Sequence, residues 1–83
     1  MLYQNYIIEV KRYHNGEFEH NVNWAWDEDQ EKARLKAEAK FHEILSSAAI
    51  SNTAEHSAIL FTSQGYPLMY QNYTHKQEEE ASE

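Results

Sequence analysis

Among its 83 residues the chain has no cysteine, one proline and only two glycines. Without thiols it can form no disulfide, no zinc–thiolate centre and no cysteine nucleophile, and it suits a reducing compartment. Both glycines follow an amide residue, as Asn15-Gly16 and Gln64-Gly65, and read as turn positions, so none remains for a phosphate-cradling loop. No stretch approaches the roughly 18 consecutive apolar residues of a membrane helix. The opening run "MLYQNYIIEVKR" lacks the small-residue cleavage site of a signal peptide. A cytoplasmic protein is the expectation from these absences. Basic residues are also scarce, seven against fourteen acids, for a net charge of −7. Four of those acids (Glu78, Glu79, Glu80, Glu83) lie in the tail "KQEEEASE" beside Lys76, which gives the tail −3 and the remainder −4. A body of that charge repels phosphate backbones, which argues against a nucleic-acid binder.

What is present is hydrophobic and aromatic: 41% and 13% of the chain. A chain this short buries only about 60% of its unfolded surface, so its core should be single and small. Residues 3–13, "YQNYIIEVKRY", are rich in β-branched and aromatic residues, and "EFEHNVNWAW" alternates with Phe18, His20, Val22, Trp24 and Trp26 on one pleat; together they read as a strand pair. The turn at Asn15-Gly16 admits two registers. A two-residue turn sets Ile7 beside Trp24, whereas a turn with Gly16 in a G1 bulge sets Tyr6 beside Trp24, Ile8 beside Val22 and Val10 beside His20. The bulged turn is preferred because it groups the apolar residues.

From "WDEDQEKARLKAEAKFHEILSSAA" onward the hydrophobic period changes from two to 3.6. Asp27 is the predicted N-cap, with Gln30 completing a capping box. Acids at the start and bases after them suit the helix dipole. Ala33, Ala37, Phe41, Ile44, Leu45 and Ala48 form one apolar stripe, which fades near Ala49. A second strand pair, "EHSAILFTS" and "YPLMYQNYTH", follows the loop "SNT". The expectation is an α+β fold, ββαββ, with a four-stranded antiparallel sheet in the order 2-1-3-4 and one helix on one face. Residues 1–75 form a single domain in this reading, and residues 76–83 a disordered acidic tail.

One helix covers only one side of a sheet. The opposite pleat is predicted to carry Ile7, Tyr13, Ile59, Phe61, Met69 and Tyr73, an apolar set that marks a self-association or partner surface. Trp24 is read as core and Trp26 as closing the corner between sheet and helix, although tryptophan and tyrosine also favour binding hot spots.

Candidates for chemistry are thin. Glu38 and His42 stand four apart on the helix, a spacing that permits metal binding with His56 as a third ligand, but an imidazole at the edge of an apolar stripe more often packs its ring. His20 and His56 read as strand residues at a half-buried boundary. Ser46 and Ser47 near His42 lack a GxSxG elbow or an oxyanion loop. No catalytic residue, cofactor or metal is expected, and the chain is read as non-enzymatic.

The segment "AKFHEILSSAAISNTAEHSAILFTSQGYPLMYQNYTH" carries a helix ending in "[YF]H.IL..AA", an "HSA" strand, a glycine turn and an aromatic last strand ending in His and Lys. With the N-terminal hairpin and the acidic tail it resembles a family of small phage and prophage proteins of Gram-positive gut bacteria. The resemblance implies a phage origin, and with it a place in the host cytoplasm or on the virion; it brings no catalytic residues. The functional expectation is a protein–protein interaction module acting as a homodimer or on a protein partner. The alternative is an acidic mimic of nucleic acid that inhibits a host nucleic-acid-binding protein.

Overall fold

The computed structural model describes residues 2–76. The acidic tail expected from residue 76 onward therefore lies outside the described residues, Lys76 excepted. The elements run β1 (Tyr3–Arg12), β2 (Phe18–Asp27), α1 (Gln30–Ala49), β3 (Glu55–Thr62) and β4 (Pro67–Thr74). The four strands form one antiparallel sheet in the order β2-β1-β3-β4, with α1 packed on one face, as the alternation and the helical stripe predict.

The two hairpins share one turn design. At the first, the Gly16 amide donates to the Tyr13 carbonyl at 2.9 Å and the Tyr13 amide to the Glu17 carbonyl at 2.8 Å; at the second, Gly65 donates to Thr62 and Thr62 to Tyr66, each at 2.9 Å. Gly16 and Gly65 hold φ of +93° and +92°, a region that costs a residue with a Cβ about 1–2 kcal/mol. This is the bulged turn, and it sets the expected register of Tyr6 on Trp24, Ile8 on Val22 and Val10 on His20. A further bulge shifts the register between Leu60 and Phe61, so that Leu60 pairs with Met69 and Phe61 with Pro67.

The helix begins two residues later than its expected cap. Asp29 is the N-cap, its Oδ2 accepting from the Lys32 amide at 3.1 Å. Asp27 instead closes β2: its Oδ1 accepts from the Asp29 amide at 2.9 Å and its Oδ2 meets Lys36 Nζ at 2.8 Å. The Lys36 hydrogen bond, followed by the Asp29 amide, holds the Asp27 carboxyl below the usual aspartate range.

The core is made of small residues around a few large ones. Ala33, Ala37, Phe41 and Ala48 are the buried helix positions, with Ile44 and Leu45 partly buried beside them. They meet Ile7, Ala25, Ala58 and Leu60 from the sheet, with Met69 packing at the margin. Phe41, at 2% exposure, is the largest buried side chain, and the alanines let the helix backbone close on the strands around it.

Candidate interaction face and a buried histidine network

The pleat follows from the registers. Ile7 pairs with Asn23 and Leu60, and all three point toward α1; Tyr6 pairs with Trp24 and Phe61, and Ile8 with Val22 and Ile59, pointing away from it. The uncovered face therefore carries the even-numbered residues of β1 and β2 and the odd-numbered residues of β3. Tyr6 sits at its centre, stacked on Phe61 at 5.0 Å between ring centroids and tilted against Trp24 at 4.9 Å, so one aromatic row crosses three strands. The neighbouring row is Val22, Ile8, Ile59 and Tyr70.

Of the six residues expected on this face, Ile59 and Phe61 lie on it. Ile7 does not: it is fully buried against Phe41 on the helix side. Met69 and Tyr73 pair with Leu60 and His56 and share their inward pleat. Tyr13 lies beyond the end of β1 and donates its phenol to Glu19 Oε1 at 2.6 Å, on the helix side of the sheet. That hydrogen bond, with burial and nearby carboxylates adding to it, raises the Tyr13 phenol above the usual tyrosine range. Ile7 and Ile59 could share a pleat only if Ile7 faced an odd-numbered residue of β3; Ile7 faces Leu60, and a slip of one residue exchanges the two faces of a strand.

The tryptophans require a second correction. Trp24 is 51% exposed and Trp26 56% exposed, both on the open pleat, so neither is core and neither closes the corner to the helix. Phe18 and Tyr70 are exposed on the same pleat. A large aromatic buries roughly 150–250 Å² in full, so half exposure leaves about 100 Å² on each. These four residues alone present on the order of 400 Å², before half-buried Tyr6, Ile8, Ile59 and Phe61 are counted, against the ~300–600 Å² of the largest patch on an ordinary monomer.

A polar network that the sequence reading missed lies at the other end of the covered face. His56 is 2% exposed, and its Nε2 donates to Glu9 Oε2 at 2.5 Å across β1 and β3. Its Nδ1 meets Ser51 Oγ at 3.3 Å, and Ser51 Oγ meets Thr53 Oγ1 at 2.9 Å. Carboxylate, imidazole and hydroxyl thus stand in the order that orients a base beside a nucleophile. Here the order closes on itself: the hydroxyl is already shared with buried Thr53. The network satisfies polar groups that the helix–strand junction buries.

His75 fastens the same junction. Its Nδ1 lies 2.9 Å from the Thr53 carbonyl and its Nε2 3.2 Å from the Ala49 carbonyl, so the ring ties the end of the last strand to the loop and to the end of α1.

The other residues considered for chemistry are dispersed. His42 is exposed on α1, edge-on to Phe41 at 5.7 Å, while His56 is buried with Glu9, and Glu38 pairs with Arg34 at 3.1 Å. Among the described residues no three His, Cys, Asp or Glu side chains gather as a metal site. Ser46 and Ser47 are exposed, as is His20. No described helix is long and apolar enough to cross a membrane. Compared with family models, curated proteins and solved structures, the chain matches none significantly.

Proposed function

We propose that this chain is a non-enzymatic, phage- or prophage-encoded interaction module that works by protein–protein contact and associates with a second copy of itself through its uncovered sheet face. The observation that carries this reading is the aromatic row Trp24–Tyr6–Phe61, flanked by Val22, Ile8, Ile59 and Tyr70, on the side of the sheet opposite α1, the one helix among the described residues. Water in contact with such a row is released on association, the main favourable term in forming an interface. Tyrosine and tryptophan suit that role because each offers a large, stiff surface. The phage origin rests on the likeness of residues 39–75 to small phage proteins.

The acidic-mimic reading has less support in the geometry. Asp27 is paired with Lys36, Glu38 with Arg34 and Glu55 with Arg12, so cations are interleaved with the acids of the body rather than segregated from them.

Sedimentation equilibrium over a wide concentration range tests the proposal. The expected mass rises toward twice that of one chain, and more readily at high salt, where repulsion between two chains of charge −7 is screened. A single-chain mass throughout would overturn self-association.

A further inference from the structure

We infer that the seam between two copies is the β2 edge itself, each β2 adding to the other in antiparallel fashion to make one continuous eight-stranded sheet. The inference rests on the self-association proposed above but sets its seam at the edge that borders the open face, where Phe18, Trp24 and Trp26 of that face meet the second copy, rather than across the middle of the face.

In the β1–β2 ladder, the Tyr13–Glu17 hydrogen bond sets the alternation, so the odd-numbered β2 residues bond to β1. The amides and carbonyls of Phe18, His20, Val22, Trp24 and Trp26 then point outward, and among the described residues β2 has no strand neighbour on that side. Five residues along a ten-residue strand are left in this state. Exposed edges are usually blunted by proline, lysine or a bulge. The other edge, β4, begins at Pro67 and carries the bulge next to it, but β2 reads "FEHNVNWAWD", with no proline, glycine or lysine and no irregularity in its register. One side chain touches the edge: Lys36 Nζ reaches the Trp26 carbonyl at 3.5 Å, a distance long enough to yield to an amide donor.

The edge is complementary to itself about Val22. With Val22 opposite Val22 of the second copy, Trp24 falls opposite His20 and Trp26 opposite Phe18, all hydrogen-bonded positions with side chains on the open face. The aromatic rows of the two copies then become continuous. On the helix side Asn21 falls opposite Asn23, and Glu19 opposite Ala25. Ala25 lies in a groove between the β2 edge and α1 whose other wall includes Lys36, Ala39, Lys40, His42 and Glu43. The Glu19 carboxylate of one copy thus enters a groove in which two lysines of the other outnumber its single acid, Glu43. This match of charge, repeated by the two-fold axis, favours a second copy over an unrelated strand. Glu17 meets Asp27 at the rim, where Lys36 already pairs with Asp27.

The absence of cysteine makes cross-linking a clean test. In a hydrogen-bonded antiparallel pair the Cα atoms stand about 5.5 Å apart, within disulfide range. Full-length Val22→Cys should form a covalent dimer under mild oxidation at least about tenfold faster than Ile59→Cys, whose position lies in the middle of the open face. Sedimentation of the unmodified chain accompanies both variants. If Ile59→Cys cross-links and Val22→Cys does not, or if the chain is dimeric and neither does, the β2 seam is overturned while self-association stands. A chain that is monomeric at every concentration overturns both.

Discussion

The two faces of the sheet are built from different materials. Under α1 the residues are mostly small, with Ala25, Ala37 and Ala58 closing round Phe41, Ile7 and Leu60, and Ala33 and Ala48 buried along the same helix. The open face holds the bulk: both tryptophans, Tyr6, Phe61, Tyr70 and Phe18. In a protein that only had to fold, the large side chains would be expected beneath the helix. Their placement on the uncovered side separates two tasks, the covered face holding the chain together and the open face meeting another molecule.

Substitutions should separate these tasks, and the largest effect belongs to the covered face. Phe41→Ala removes the largest buried side chain and should cost about 3–5 kcal/mol in denaturant unfolding. Trp24→Ser, on the opposite face, should change the stability of the isolated chain by about 1 kcal/mol or less while weakening association. Equal losses of stability from the two would erase the contrast.

Next in size is the buried network. Glu9→Ala leaves the His56 Nε2–H without its acceptor and should cost about 1–3 kcal/mol, read by the same unfolding measurement. Gly65→Ala follows. Its cost of about 1–2 kcal/mol comes from the positive φ rather than from crowding, since the nearest atom to an added Cβ is Tyr6 Oη at 3.7 Å.

The smallest effects are in the pH dependence. Asp27 is held below the usual aspartate range, so its contribution is fully present above the unfolded aspartate range and is lost as pH falls through the folded value; Lys36→Met should reduce that acid limb of a stability–pH curve, the part due to the Asp29 amide remaining. Tyr13 is raised, so its contribution is present below the unfolded tyrosine range and is lost as pH rises through the folded value, and Glu19→Gln should reduce that alkaline limb.

The element order, the strand order and the register of the first hairpin were legible because they rest on local chemistry: a glycine after an amide, a change of period and a run of alternating residues. Which pleat the helix would cover was not. Both pleats of β1 are apolar at their centre, with Ile7 on one and Tyr6 and Ile8 on the other, so composition does not separate them. The choice is made by the β1–β3 register, a long-range pairing that no turn fixes. Hence Ile59 and Phe61 lie on the open face while Ile7 and Tyr13 fall on the covered side, and Met69 and Tyr73 are turned inward by the bulge between Leu60 and Phe61, which shifts the β3–β4 register by one residue. The same register brings Glu9 to His56 across 47 positions of sequence, a pairing that neither residue signals alone. Asp27 was a reasonable cap by motif, but β2 runs as far as Asp27 and leaves the role to Asp29.

Both tryptophans of the chain lie on the open face, so intrinsic fluorescence reads that face directly. A dilution series of the unmodified protein, followed by tryptophan emission with far-ultraviolet circular dichroism in parallel, tests the central claim. The account predicts emission that moves to the red on dilution, as Trp24 and Trp26 return to water, with the secondary-structure signal unchanged. Emission fixed at the wavelength of exposed tryptophan at every concentration would contradict it.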